Sequence, residues 1–245
     1  MQRLVIERQQ RQEDQIFLTA EQSHYLMRVL RLEDGDRFIA MDGLGNAWIA
    51  ELSGETAQIV ENFNPGETEL SWEVILMIAL PKQGFDDVVR CCTELGVTTI
   101  VPVISDRTIL KPSPNKIDRW RKIAQEAAEQ SERQIVPNIL DPIPFSQALF
   151  LFPSQGLTQQ YICVARKDAP HLLSYLNNQR QMTNQEQNRI IVATGCEGGW
   201  TPEEVEKAIA ANFQPVSLGR RILRAVTAPI VTLSLIAAFN ESNDS

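Results

Sequence analysis

The chain is poor in the residues that bind metals and form disulfides. It has two histidines and four cysteines among 245 residues. His24 and His171 are far apart, and no two cysteines show the Cys-x-x-Cys spacing of zinc and redox sites. We therefore predict no metal site and expect the cysteines to be reduced thiols, as in a cytosolic protein.

Long apolar runs are lacking as well. The sequence has no stretch of about 18 or more apolar residues, the length that crosses a bilayer. Its first residues, which include Arg3, Glu7 and Arg8, do not form the apolar core of a signal peptide. The composition, 43% hydrophobic and 22% charged, is that of an ordinary globular protein. These features predict a cytoplasmic location without membrane contact.

Positive charge is scarce overall but concentrated locally. With 23 Lys and Arg against 31 Asp and Glu, the net charge is −8, which argues against nonspecific coating of nucleic acid. Between residues 107 and 122 a single acid, Asp118, accompanies six basic side chains: Arg107, Lys111, Lys116, Arg119, Arg121 and Lys122. Such a run is typical either of a solvated helix start or of a surface that binds phosphate.

The hydrophobic pattern divides the chain near residue 70. Before it, strand-like segments at 37–41 and 47–52 are joined by a glycine-rich turn, which predicts a small β-barrel. After a polar, turn-rich segment at 62–69, nearly continuous apolar segments alternate with helical patterns. That alternation predicts an α/β domain with a parallel sheet. We place the domains at 1–70 and 71–245.

The last predicted helix, residues 226–239, is apolar on nearly every side. A helix of that kind is buried all round. We expect it to pack at a twofold subunit interface, which makes the protein a homodimer. By contrast, the polar segment 177–188 is predicted to be a surface loop.

Two glycine-bearing turns in the second domain carry the strongest functional signal. Residues 194–199 read Thr-Gly-Cys-Glu-Gly-Gly, and residues 218–224 read Leu-Gly-Arg-Arg-Ile-Leu-Arg. Turns of this kind at the carboxyl edge of a parallel sheet form ligand pockets. Each alone is also compatible with a tight or solvated turn that binds nothing. Together they indicate a compact pocket beside a cationic surface.

Four polar side chains lie near these turns or at the end of another strand, and two of them, Glu197 and Lys82, have more than one interpretation. Glu197, between glycines, could orient a ligand, accept a hydrogen bond or remove a proton, or it could complement the dipole of the next helix. Thr201 and Glu204 match a capping box at the start of that helix. Lys82, where another buried strand ends, could contact a phosphate or be a plain surface lysine.

Several short motifs occur in order along the chain. They are His-Tyr-Leu-Met-Arg-Val-Leu-Arg at 24–31, Gly-Asp at 35–36, Asp-Gly at 42–43, Leu-Pro-Lys at 80–82, Cys-Thr-Glu-Leu-Gly-Val at 92–97, Arg-Trp at 119–120, Glu-Ala-Ala-Glu-Gln-Ser-Glu-Arg at 126–133, Pro137 and the two glycine turns. None is specific alone. In this order the chain resembles the ribosomal RNA small-subunit uridine-N3 methyltransferases, a branch of the SPOUT superfamily.

The resemblance implies a fold and a reaction. The fold would be a C-terminal α/β SPOUT methyltransferase domain with a parallel sheet and a deep trefoil knot, preceded by a small PUA-like β-barrel that binds RNA. The reaction would move a methyl group from S-adenosylmethionine to N3 of a uridine in 16S ribosomal RNA, free or within the small ribosomal subunit. The family is dimeric through its last helix.

The resemblance also implies site residues. The catalytic candidates are Arg224, Glu197 and Arg166. The cofactor-binding candidates are Val164, Ala165, Thr194, Gly195, Glu197, Gly198, Gly199, Leu218, Gly219, Ile222, Leu223 and Arg224. The RNA-binding candidates are Arg28, Arg31, Lys82, Arg107, Lys111, Arg119, Arg133, Arg220 and Arg221.

Two positions depart from the family pattern. Cys196 stands where proline is usual, and Val226 stands where a glutamate is usual. We hypothesise that Glu197 covers part of the role of the missing acid. The alternatives are a related enzyme with another target nucleotide, a catalytically silent RNA-binding paralogue, and a purely structural dimer.

Overall fold

The protein is described here by a computed structural model that covers residues 1–64, 66, 68–152, 158–165, 168–179 and 189–242. Two compact units make up the chain. The first contains Met1–Glu69 and Gln125–Val136, and the second contains Leu70–Ala124 and Pro137–Ser245. No helix among the described residues is long and apolar enough to cross a membrane.

The first unit is built on a six-stranded sheet. Its strands are β1 (Arg3–Val5), β2 (Arg11–Gln12), β3 (Gln15–Phe17), β4 (Arg37–Met41), β5 (Ala47–Ser53) and β6 (Thr56–Asn62), in the spatial order β1-β4-β5-β6-β3-β2. Only the β1–β4 pair is parallel. The predicted hairpin of β4 and β5 is confirmed. Strands β1 to β3 are only two or three residues long, which is too short for a pattern of apolar alternation to be recognised from sequence.

One helical segment packs on this sheet. It consists of α1 (Ala20–His24) and a wider helical turn over Tyr25–Val29. Thr19 caps its start, because its hydroxyl accepts the backbone N–H of Gln22 at 3.2 Å. Leu26 is fully buried in the core with Phe38 and Ala50.

Residues 125–136 belong to the first unit, although the sequence predicted a contiguous domain that ends at residue 70. The Glu129 carboxylate accepts the backbone N–H of Val5 at 2.8 Å. Glu69 accepts the N–H groups of Gln134 and Ile135 at 3.0 and 3.2 Å. Burial raises the pKa of the Glu129 carboxyl, which these contacts hold inside the unit.

The second unit has a parallel sheet, which confirms the predicted α/β class. Its strands are β7 (Glu73–Ala79), β8 (Thr99–Ile104), β9 (Asn138–Ile139), β10 (Ile143–Pro144), β11 (Thr158–Cys163), β12 (Arg189–Thr194) and β13 (Gln214–Val216). The order is β10-β8-β7-β12-β11-β13, with β9 beside β8. Every described pair is parallel.

Helices lie between these strands along the chain, and a last helix follows β13. They are α2 (Phe85–Glu94), α3 (Pro114–Gln130), α4 (Phe145–Ala148), α5 (Leu172–Gln179), α6 (Pro202–Ala210) and α7 (Thr227–Glu241). The central strands are apolar on both faces because helices cover both, and Val74, Leu76 and Ile191 are at most 1% exposed.

Three predictions about helices need correction. The spacing of apolar residues predicts a helix from about residue 115 to 134; α3 ends at Gln130, and Glu132 then adopts a left-handed φ of 65°. Residues 177–179 of the predicted loop belong to α5, and 180–188 lie outside the described residues. Within the single chain α7 is not buried all round, since Val231 and Leu235 are only partly buried.

Candidate functional site

Four parallel strands end at one edge of the second sheet. β7, β12, β11 and β13 are neighbours in that order, with Thr194 beside Ile78, Ala193 beside Ile162, and Val216 beside Cys163. Because parallel neighbours finish at the same edge, the turns that follow them lie side by side. The sequence predicted this arrangement for both glycine turns.

Two glycines of the turn after β12 are required for different reasons: Gly195 is crowded, and Gly199 has a left-handed backbone conformation. A Cβ atom on Gly195 would lie 3.2 Å from Gly199 Cα and 3.4 Å from Trp200 Nε1. Gly199 has a φ of 65°, and its N–H donates to the Cys196 carbonyl at 2.9 Å. The tight turn therefore depends on glycine at both positions.

Two polar atoms of this region are buried without a partner. The Thr194 hydroxyl is fully enclosed, and neither it nor Trp200 Nε1 has a hydrogen-bond partner in the described part of the chain. Orphaned buried polar groups are rare in folded proteins and call for a bound group or water. Their position at the end of β12 fits a ligand with polar atoms.

The helix that follows is fixed by its cap. Thr201 Oγ1 accepts the N–H of Glu204 at 3.2 Å, and Glu204 Oε2 accepts the N–H of Thr201 at 2.8 Å. Pro202 occupies the first turn of α6. The predicted capping box is confirmed, and it sets the direction in which the chain leaves the glycine turn.

Glu197 joins this turn to the one after β7. Its Oε1 accepts the backbone N–H of Lys82 at 2.9 Å. Two residues further on, Gly84 adopts a φ of 82°, and a Cβ atom there would lie 2.9 Å from Cγ1 of Val226. The four-residue turn 81–84 is therefore contacted by Glu197 of the first glycine turn and by Val226, two residues after the second.

The second glycine turn presents three arginines to solvent. Gly219 has a φ of 116°, and its N–H donates to Ser217 Oγ at 3.1 Å. The side chains of Arg220, Arg221 and Arg224 are exposed. Ile222 is 59% exposed, and Leu218 and Leu223 are partly buried. The backbone carbonyl of Arg224 accepts the first N–H groups of α7, which anchors the turn.

The other predicted cofactor-binding residues, Val164 and Ala165, follow β11. The Val164 N–H donates to the Val216 carbonyl at 2.9 Å, and Ala165 is exposed. Arg166, a catalytic candidate, lies outside the described residues. Burial raises the pKa of the Cys163 thiol to about 12, so this neighbour stays a neutral thiol.

An open cleft of about 420 Å³ lies beside the 81–84 turn. Lys82, Lys116 and Arg119 line it, together with the start of α2. The Asp86 carboxylate accepts from Arg119 Nε at 2.9 Å and from Trp120 Nε1 at 3.0 Å. The amines of Lys82 and Lys116 have no hydrogen-bond or ion-pair partner among the described residues.

The other RNA-binding candidates are scattered. Arg28 and Arg31 are exposed in the first unit, and Lys111 is exposed in the second. The prediction that Arg133 binds RNA is wrong, because Arg133 is 2% exposed and its guanidinium contacts Glu69 at 2.6 Å. This buried pair belongs to the structure of the first unit, so Arg133 is not available to RNA.

Sequence reasoning missed the structural parts of the site. Gly84 contacts Val226, and Trp200 and the segment 105–108 contact the first glycine turn. Of these residues only Arg107 was a candidate, and it was assigned to RNA. The glycine just before an apolar helix and the tryptophan just after a glycine turn were the available signals. Their partners could not be read from sequence, because the residues in contact with Gly84 and with Arg107 lie about ninety or more positions away along the chain.

Family models match both parts of the chain. An RNA methyltransferase domain matches residues 68–237, and an RNA methyltransferase PUA domain matches residues 18–61. The chain is 49% identical to ribosomal RNA small subunit methyltransferase E of Synechocystis sp., covering 98% of this chain and 78% of the relative. It is 30% identical to the Bacillus subtilis protein of the same name, covering 97% and 96%.

A solved structure is similar over nearly the whole chain. The ribosomal RNA small subunit methyltransferase E of Neisseria gonorrhoeae, crystallised with S-adenosyl methionine, has a TM-score of 0.83 and 29% sequence identity. The match covers 97% of each chain. The protein therefore belongs to the RNA methyltransferase family, with an RNA methyltransferase PUA domain in its first unit.

Proposed function

We propose that this protein transfers the methyl group of S-adenosylmethionine to N3 of a uridine in small-subunit (16S) ribosomal RNA. One observation carries the proposal: in an RNA methyltransferase domain, Glu197 of the first glycine turn and Val226, just after the second, both contact the turn 81–84. A cleft lined by three basic residues, Lys82, Lys116 and Arg119, and by the acids Asp86 and Asp87 opens beside that turn. Cofactor loops and an RNA surface are thereby adjacent, as methyl transfer to RNA requires.

The residues at the sheet edge fit the cofactor. Gly199 leaves open space where a Cβ would stand, so a ligand can approach its backbone, and the orphaned Thr194 hydroxyl offers a hydrogen bond. When bound, S-adenosylmethionine supplies an activated methyl group. The residues proposed to hold it are Val164, Ala165, Thr194, Gly195, Glu197, Gly198, Gly199, Leu218, Gly219, Ile222, Leu223 and Arg224.

The target nitrogen sets two demands on the protein. N3 of uridine carries a proton and is hidden in base pairs, so the base must be taken unpaired, at a cost of a few kcal/mol. The ring also gains negative charge as the proton leaves. Arg224, exposed at the end of the second glycine turn, is proposed to stabilise that charge, with Arg166 as the second candidate.

The RNA backbone is proposed to lie along the basic cleft. Lys82 and Lys116, whose amines have no partner among the described residues, line it, and so does Arg119, whose guanidinium also pairs with Asp86. Arg28, Arg31, Lys111, Arg220 and Arg221 are the further proposed contacts. A surface of this kind binds through phosphate charge, so RNA affinity falls steeply with added salt.

We also infer a homodimer and a cytoplasmic location. On α7, Val231, Leu235 and Ala238 are spaced for one face and are not fully buried in the single chain. Apolar residues on an accessible helix face suit a second copy of the same helix. The cytoplasmic location follows from the proposed ribosomal RNA substrate.

Nucleoside mass spectrometry tests the reaction. A strain that lacks the gene should lose one N3-methyluridine from 16S ribosomal RNA, and the purified protein with S-adenosylmethionine should restore it on that RNA or on small subunits. Loss of a different methylated nucleoside would point to another target. A protein that binds S-adenosylmethionine but restores nothing would be a silent RNA-binding paralogue. A dimer that does not bind the cofactor would be purely structural.

A further inference from the structure

Arg107 lies on the first glycine turn. Its Nη1 donates to the Gly198 carbonyl at 2.6 Å and to the Trp200 carbonyl at 3.2 Å. Its side-chain carbons cover Gly198, since a Cβ atom added there would lie 2.9 Å from Arg107 Cδ. A guanidinium that donates to two carbonyls of one turn fixes their directions.

The whole segment 105–108 contacts the same region. Ser105 Oγ lies 3.7 Å from Cys196 Sγ, and the N–H of Asp106 donates to Glu204 Oε1 at 2.9 Å. Thr108 Oγ1 accepts the N–H of Ser105 at 3.0 Å, which closes the segment into a turn. The segment after β8 therefore touches the glycine turn, its tryptophan neighbour and the first turn of α6.

These contacts determine which backbone N–H and carbonyl groups of the turn remain free to bind a ligand. The Gly198 and Trp200 carbonyls are taken by Arg107, and the N–H groups of Gly199 and Thr201 are used within the turn and the cap. Within the described residues, the N–H groups of Glu197 and Gly198 have no acceptor. A turn held in this way presents preorganised donors to a ligand, whereas a loose turn pays conformational entropy on binding.

We propose that Arg107 is a positioning residue that sets the affinity for S-adenosylmethionine by holding the 195–200 turn, and that it is not an RNA contact. The inference deepens the proposed function and rests on it. It reverses the sequence-based assignment of Arg107 to the RNA surface, although the side chain is exposed.

The test compares Arg107→Gln and Arg107→Lys with the wild type, with Arg119→Gln in the cleft as the contrast. Calorimetric titration of the free protein should show S-adenosylmethionine binding about tenfold weaker for Arg107→Gln. Arg107→Lys, which can donate to one carbonyl, should lose less. For Arg107→Gln, the KM for the cofactor should rise while the KM for RNA stays constant. For Arg119→Gln, the KM for RNA should rise while the KM for the cofactor stays constant.

A readout without ligand separates positioning from general damage. In the free Arg107→Gln protein, the Gly199 amide, which donates within the turn, should exchange its hydrogen faster at an unchanged melting temperature. Weaker RNA binding with unchanged cofactor affinity would overturn the inference, as would unchanged Gly199 exchange. If the wild type binds no S-adenosylmethionine, the proposed function itself fails.

Discussion

The Glu197 carboxylate accepts a 2.9 Å hydrogen bond from the backbone N–H of Lys82, 115 residues earlier in the chain. Val226 packs on Gly84 in the same turn. The acid that the family pattern places at 226 is absent here, and an acid from the other loop contacts the turn instead. This relationship gives the hypothesis about Glu197 a structural basis.

Replacing Glu197 should separate its charge from its hydrogen bond. Glu197→Gln keeps an oxygen that can accept from Lys82 N–H but removes the charge, and Glu197→Ala removes both. If the carboxylate supplies the missing acid, kcat should fall about tenfold in Glu197→Gln, and Glu197→Ala should also bind the cofactor more weakly. Single-turnover methylation and cofactor titration measure the two effects. A Glu197→Gln enzyme with the wild-type rate would rule the hypothesis out.

Gly84 should not tolerate a side chain. Gly84→Ala adds about 1–2 kcal/mol of left-handed backbone strain and a clash with Val226, so urea unfolding should show a loss of about 2–4 kcal/mol. When Val226→Ala is added to the Gly84→Ala protein, the stability lost through the clash should be recovered, but the stability lost through backbone strain should not. Gly35→Ala is the matched control, because Gly35 has a φ of 93° and open space around its Cβ position. Equal losses at Gly84 and Gly35 would contradict the close contact.

The sequence predicted what is local and missed what is distant. Thr201 and Glu204 were recognisable because a capping box is a sequence motif of four consecutive residues. The bond between Glu197 and Lys82 was not, because no periodicity relates side chains so far apart. Arg133 was assigned to RNA because charge alone does not reveal a buried acid partner such as Glu69.

Larger features divide in the same way. Strand segments with continuous apolar residues predicted the parallel sheet, and glycines predicted the turns at its edge. Residues 125–136 belong to the first unit through hydrogen bonds between residues far apart in sequence, which no local pattern predicts. The trefoil knot stays a prediction of the resemblance, because hydrophobic periodicity carries no information on threading.

The basic cleft should control RNA binding without affecting the cofactor. Lys116→Gln removes an amine that lines the cleft, so RNA affinity should fall and the slope of log affinity against log salt should drop by about one. Arg121→Gln is the matched control: it lies on the same helix, but its guanidinium binds Asp118 and Asp141 outside the cleft. Filter binding at several salt concentrations measures both. Equal effects of the two substitutions would remove the cleft from the RNA surface.

The partly buried face of α7 should control self-association. Leu235→Asp places a charge on that face, where a dimer would have to bury it, so the dimer should dissociate at concentrations at which the wild type stays associated. Ile209→Asp is the control, because Ile209 on α6 is 50% exposed and lies on another helix. Sedimentation velocity over a range of concentrations gives the oligomeric state, and circular dichroism checks the fold. A wild type that sediments as a monomer would contradict the proposed dimer, and a folded dimer of Leu235→Asp would move the interface away from this face.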